Sequence, residues 1–186
     1  MHKVVSFMVV TLDGYYEGPE GEFDWPNVDD EFNEFAISQL NDIDTLLFGR
    51  ITYGTMASFW PTPDAMAADP LVAARMNSIP KVVFSHSLRE ATWQNTTLVP
   101  TDAVAAVRAL KQQDGIGLLA LFGSPSLTSS LIEAGLVDEL RVMIHPILLG
   151  AGKPLFGTLT GRQPVTLLRS LVFASGNVLL TYAPSE

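Results

Sequence analysis

Cysteine is absent from the 186 residues, which removes disulfides, thiolate nucleophiles and cysteine-based zinc sites and fits a chain kept in a reducing cytoplasm. No apolar run approaches the roughly 20 residues needed to cross a bilayer. Val4 to Val10, behind Met1-His2-Lys3, passes directly into Asp13-Gly14 without a small-residue cleavage pattern, so it reads as a buried strand rather than a signal peptide. Positive charge is missing from a long segment: between Lys3 and Arg50 stand eleven Asp or Glu residues and no Lys or Arg. The formal charge is -9 and the pI about 4.7. An acidic surface repels phosphodiester backbones, which argues against nucleic acid as a partner. The simplest reading of the acidic run is a solvated loop and helix face, with Arg50 the first cation beyond it. His2, His86 and His145 are far apart, and none stands at ligand spacing from another His or acid, so no metal site is expected. Also missing are G-x-G-x-x-G after the first strand and G-x-x-x-x-G-K-[ST], the common dinucleotide and triphosphate loops.

What remains is 47% hydrophobic and 17% charged, enough for one substantial core, so a soluble single domain over residues 1–186 is expected. Val4 to Thr11 is almost continuously apolar, as in a central strand covered on both faces. Gly, Pro and acids with Phe23 and Trp25 make Glu17 to Asp30 an extended loop. Asp29 or Asp30 then caps a helix carrying Phe32, Phe35, Ala36, Leu40 and Ile43 on one stripe. Thr45 to Phe48 is a short strand, Gly49 a tight turn, and Arg50 to Ser58 a helix stopped before Pro61. Thr62 to Asp69 reads as a loop, Leu71 to Asn77 as a short helix behind Pro70, and Lys81 to Ser85 and Thr96 to Val99 as strands. A helix capped by Thr101 or Asp102 presents Val104, Val107 and Leu110, and Ile116 to Phe122 is an apolar strand entering Gly123-Ser124-Pro125. Ser124 is expected to cap a helix lined by Leu127, Leu131 and Ala134, with Gly135 as its left-handed stop. Glu139 to Ile147 is a strand, Leu149 to Gly152 a glycine loop, and Val165 to Phe173 with Val178 to Tyr182 a hairpin. The alternation predicts a three-layer α/β/α fold with a mostly parallel central sheet and an antiparallel C-terminal edge hairpin. The helix-free strands at the C-terminal end expose an edge or face that a homodimer covers.

Chemistry points to two strand-to-helix junctions, at Gly49 and Gly123. In an open parallel sheet, ligands collect at the carboxyl ends of strands, where free helix N–H groups and the macrodipole favour anions. Arg50 adds a permanent cation and Thr52 a hydroxyl at the first junction; Ser124 and Ser126 add hydroxyls at the second. Glycine followed by a capping serine is also ordinary helix-start grammar, so neither junction alone defines a site. His145, before Pro146, is most simply structural, whereas His86 follows a strand end and can face an anion.

The ordered segments resemble the dihydrofolate reductase-like proteins, and in particular stand-alone relatives of the reductase half of the bifunctional riboflavin-biosynthesis deaminase-reductase. The resemblance is carried by SFMVVTLDG at Ser6 to Gly14, DTLLFGRITYGTMASFWP at Asp44 to Pro61, KVVFSHSL at Lys81 to Leu88, LFGSPSL at Leu121 to Leu127 and GLVDELRVMIHPILLGAGKPLF at Gly135 to Phe156. It implies a dihydrofolate reductase-like fold and an NADPH-dependent reductase acting on a C=N or C=O bond of a small heterocycle, pterin-like or 5-amino-6-ribosylaminouracil-like. It further implies that Gly49 and Arg50 lie at the 2'-phosphate side, Thr52 at the pyrophosphate, Ser85 and His86 at the adenosine end, and Gly123, Ser124, Ser126 and Leu127 across the pyrophosphate. Val9 and Val10 then border the nicotinamide. Asp30 resembles the catalytic carboxylate by position, while Asp29, Glu31 and Glu34 compete for that role and helix capping accounts equally for Asp29 or Asp30. Trp25, Tyr53 and Trp60 are candidate walls of the substrate pocket, core packing being the other reading. Ser124 stands where the reductases proper have a second glycine, so a special peptide geometry is not implied at that junction. The deaminase half needs zinc held by His and Cys, which a chain without cysteine cannot supply. The loop from Glu17 to Asp30 offers acids and no cation to a substrate phosphate, leaving Arg75, Lys153 or Arg162 to supply one. A dinucleotide or small-molecule binding protein without turnover is the alternative.

Overall fold

The computed structural model describes residues 1–185. Along the chain lie β1 (Lys3–Thr11), β2 (Tyr15–Glu17), α1 (Asp30–Asn41), β3 (Ile43–Gly49), α2 (Arg50–Phe59), α3 (Pro63–Ala68), α4 (Pro70–Ser78), β4 (Lys81–Phe84), β5 (Thr96–Val99), α5 (Ala103–Lys111), β6 (Leu118–Phe122), α6 (Pro125–Glu133), β7 (Glu139–His145), β8 (Lys153–Pro154), β9 (Val165–Val172) and β10 (Val178–Pro184). Eight strands form one sheet in the order β5-β4-β3-β6-β1-β7-β10-β9. The first six in that row run parallel, and β10 and β9 reverse direction at the far edge.

Side-chain alternation along each strand sends successive residues to opposite faces, and both faces of the central strands are apolar. On one face Leu46, Phe48, Val83 and Ala120 pack with Leu40 of α1, Tyr53 of α2 and Val72 and Met76 of α4. On the other, Met8, Val10, Leu119 and Leu121 pack with Val107 of α5 and Leu131 and Ile132 of α6. The sequence-based architecture of three layers with an antiparallel C-terminal edge is the one observed.

Two local expectations are corrected, and one element is added. Residues 62–69 are not a loop, because the Thr62 hydroxyl accepts from the Ala65 N–H at 3.3 Å and Pro63 occupies the first position of α3. Ile43 opens β3 instead of closing the helix stripe of α1, whose last cap is Asp42. A second small sheet, β2 with β8, went unseen in the sequence because each strand has too few residues to show a period.

Tyr53, expected as a pocket wall, belongs to the core. Its ring lies among Phe48 and Trp93, and its hydroxyl accepts from the Trp93 N–H at 2.9 Å. The same region buries Lys81, whose ammonium donates to the carbonyls of Ile79, Asn77 and Gln94 and sits 4.4 Å over the Trp93 ring. Burial pushes Lys81 down to about 8, and the three carbonyl acceptors explain how the charge is tolerated. Tyr53→Phe leaves the buried Trp93 N–H without a partner, so it should lower unfolding stability by about 1–3 kcal/mol in urea denaturation. It should leave ligand binding unchanged.

Candidate functional site

Five parallel strands, β4, β3, β6, β1 and β7, finish at the same edge of the sheet, and the candidate residues gather there. At its centre the β3–α2 and β6–α6 junctions are locked together. The Gly49 N–H donates to Ser124 Oγ at 2.8 Å, and the Ser124 N–H donates to Thr52 Oγ1 at 3.0 Å. The approach is tight on both sides. A Cβ on Gly49 would meet Ser124 Oγ at 3.3 Å, and one on Gly123 would meet Thr52 Cγ2 at 3.0 Å.

Ser124 therefore does not cap α6 with its side chain, contrary to the sequence-based expectation. Gly123 and Ser124 are both left-handed, with φ of 67° and 56°, which turns the Ser124 hydroxyl toward Gly49 and away from its own helix. Left-handed backbone at a serine carries strain of the kind that clusters at functional sites. Neither α2 nor α6 has a side-chain cap, and Pro125 contributes no N–H. Two helix starts, each with free first-turn amides and a partial positive charge, thus meet at one sheet edge. Each bracing hydroxyl accepts one hydrogen bond and keeps its own proton available to donate. Arg50, at the start of α2, is exposed and has no ion-pair partner among the described residues. The arrangement suits a diphosphate group.

Other candidates divide. Ser85 accepts from the Ser87 and Leu88 N–H groups at the end of β4, which closes the turn that exposes His86. Ser126 is exposed and Leu127 packs toward the core in the first turn of α6. Val9 and Val10 cannot border one ring with their side chains, because they point to opposite faces. Val9, like Phe7, Phe32 and Phe35, packs against the cluster of Met143, Phe173 and Leu179, while Val10 belongs to the core cluster that includes β7 and α6 residues. Half-buried Phe7 touches both Phe35 and Phe122 at centroid distances of 5.7 Å, giving the α1 side of the edge an aromatic floor.

Among the acids, Asp29 caps α1 by accepting from the Phe32 N–H, and Glu31 accepts from the Ala174 N–H. Asp30 and Glu34 are exposed and have no side-chain partner among the described residues. Trp25 lies edge-on to His145 at 5.6 Å, whereas Trp60 ends α2, about 15 Å along the helix from Gly49, with its Nε1 toward Met56 Sδ. The three aromatics do not form one wall. Arg75 donates to the Leu40 carbonyl and Lys153 pairs with Glu17 at 2.7 Å, so both are engaged in packing the fold. One contributor escaped the sequence reading, and another, His145, keeps the structural role expected of it. Asp13, held below the usual carboxylate range by the Thr11 hydroxyl and the Gly150 and Leu149 amides, ties the exit of β1 to the glycine loop. His145, buried at the end of β7, accepts from the Asn27 N–H at 3.0 Å. No group of three or more His, Cys, Asp or Glu suited to a metal occurs among the described residues, and none of their helices is long and apolar enough to cross a membrane.

The strand order and the helix layers define a dihydrofolate reductase-like fold. Within that class the chain belongs to the RibD C-terminal domain family, whose model matches residues 2–179. It is 34% identical over 182 residues to the uncharacterized protein YyaP of Bacillus subtilis (strain 168), covering 97% of this chain and 94% of that protein. A solved structure from Shewanella sp. PV-4, whose name places it provisionally in riboflavin biosynthesis, is 25% identical with a TM-score of 0.75 and 99% coverage of both chains. Dihydrofolate reductase from Enterococcus faecalis, solved with NADP(H), shares the fold at a TM-score of 0.66 and 14% identity, covering 99% of this chain and 97% of that one.

The brace is testable through stability. Ser124→Ala keeps the left-handed backbone but leaves the Gly49 N–H unpartnered, so unfolding stability should fall by about 1–3 kcal/mol. Ser126→Ala, at an exposed site two residues on, should change it by less than about 0.5 kcal/mol.

Proposed function

We propose that the chain is an NADPH-dependent reductase of a small heterocycle, pterin-like or 5-amino-6-ribosylaminouracil-like, acting on a C=N or C=O bond. The observation that carries this reading is the pair of helix starts without side-chain caps, braced through Gly49, Thr52 and Ser124, with Arg50 exposed beside them. When bound, the cofactor supplies the hydride. The first-turn amides of α2 and α6 and the hydroxyl protons of Thr52 and Ser124 hold its diphosphate, and Arg50 meets the 2'-phosphate. Ser85 and His86 lie at the end of β4, on the adenosine side. Val9 and the aromatic floor of Phe7, Phe35 and Phe122 exclude water beside the reacting ring. Asp30 delivers the proton to the substrate nitrogen, directly or through water. A phosphorylated substrate is disfavoured, because residues 17–31 present carboxylates and Lys153 is paired with one of them.

A second reading, a dinucleotide or small-molecule binding protein without turnover, draws on the exposure of Asp30 and the structural engagement of Asp29 and Glu31. NADPH fluorescence titration and loss of NADPH absorbance with pterins and pyrimidines separate the two: both signals are expected, and binding without consumption selects the second reading. Arg50→Ala should weaken NADPH about 10- to 100-fold, the effect of losing one charge-assisted phosphate contact, and leave NADH nearly unchanged. Equal loss for both dinucleotides removes Arg50 from the 2'-phosphate.

The same reading includes a homodimer. β9 is exposed along its length and carries Val165, Leu167, Leu168, Leu171 and Val172, an apolar edge strand of the kind that pairs with a second copy. Light scattering should give twice the chain mass, and Leu168→Lys should shift it toward the monomer.

A further inference from the structure

Residues 18–29 form a strap between β2 and α1 with no helix or strand of their own. Its early part is held by internal turns, the Gly18 N–H to the Glu22 carbonyl and the Gly21 N–H to the Gly18 carbonyl. Among the described residues, two hydrogen bonds tie residues 23–28 to the rest of the molecule, and both use the Asn27 peptide. Its N–H donates to His145 Nδ1 and its carbonyl accepts from Asn177 Nδ2, each at 3.0 Å. His145 faces Thr11 across the β1–β7 register, so the clamp sits at the same strand-end edge as the candidate site, on the α1 side. Trp25, two residues before Asn27, lies edge-on to the same imidazole.

This geometry fixes the protonation state of the histidine. An imidazole nitrogen that accepts from a peptide N–H must be unprotonated, so the single ring proton is on Nε2. Placing a proton on Nδ1 would set two donors against each other. We propose that His145 is the positioning residue of a pH-sensitive latch: its neutral form holds the strap against the end of β7, and protonation releases it.

The surroundings agree with a latch poised to open. Among the described residues, His145 Nε2, Trp25 Nε1 and Asn177 Oδ1 are buried without partners in the closed arrangement, a cost that exposure to water relieves. Burial drives His145 below its ordinary value of 6.5, and Asp29 pulls in the opposite direction. The other charged groups on the packed elements are Glu20, Glu22 and Asp24 of the strap, Asp30, Glu31 and Glu34 of α1, Lys3 at the opposite end of β1 and Asp13 beyond it, and the Arg141–Glu139 pair on β7 itself. Residues 173–178, at the turn into β10, carry no titratable group. Since the folded value is the lower one, closure is fully favoured above the unfolded value and is lost as pH falls through the folded one.

The latch stands on this chain's own geometry and does not depend on the reductase reading. Amide hydrogen exchange at Asn27 in the full chain without ligand reports it directly. Between about pH 7.5 and about pH 5, the protection of this amide, corrected for intrinsic exchange, should stay level and then fall about tenfold per pH unit once His145 titrates. His145→Asn places a non-titrating carbonyl oxygen where Nδ1 stood, and its profile should be flat. Protection independent of pH in the wild type, or a His145→Asn profile equal to it, overturns the proposal. Should that variant not fold, ¹⁵N spectra of the wild-type imidazole decide: a proton on Nε2 at neutral pH, titrating together with the Asn27 amide, sustains the latch, and a proton on Nδ1 overturns it.

Discussion

The hydrogen bond from the Gly49 amide to the Ser124 hydroxyl is the constraint around which the site is arranged. It joins residues 75 positions apart in sequence and fixes the distance between the starts of two helices on opposite faces of the sheet. Without it the helix starts could separate, and each would be an isolated, weak anion site of the sort found in many proteins. With it, and with Thr52 returning the contact from the other side, two weak dipoles act on one volume. The glycines at 49 and 123 make that approach possible, because a side chain on either would press on the brace.

Much of this was legible in the sequence. The strand-glycine-helix grammar located both junctions, and the valine-rich run placed β1 at the centre of the sheet. Ser124 shows the limit. Serine before proline reads as a cap, and nothing local reveals that its backbone is left-handed and its hydroxyl committed to a partner on another strand. Tyr53 fails for a related reason. Its neighbours in sequence are small and polar, whereas its neighbours in space are Phe48 and Trp93.

The acids illustrate the same division between local and distant information. Asp29 as a cap was available from its position before an apolar stripe, and the Phe32 amide does bind it. The commitment of Glu31 to Ala174 was not, since the contact spans 143 residues. His145 looked structural because it sits inside a strand before a proline. Its role at the strap depends on Asn27 and Asn177, which come from the two ends of the chain.

The edge that gathers these parts is electrically lopsided. The strap and the start of α1 carry carboxylates from Glu17 to Glu34 with no intervening cation, and three strands away Arg50 has no ion-pair partner among the described residues. An elongated anion diffusing toward this edge feels a torque before it touches the surface, turning its more charged end toward β3 and its less charged end toward the strap. On the reading proposed above, orientation is selected in the encounter, at a range set by ionic strength, before any contact forms.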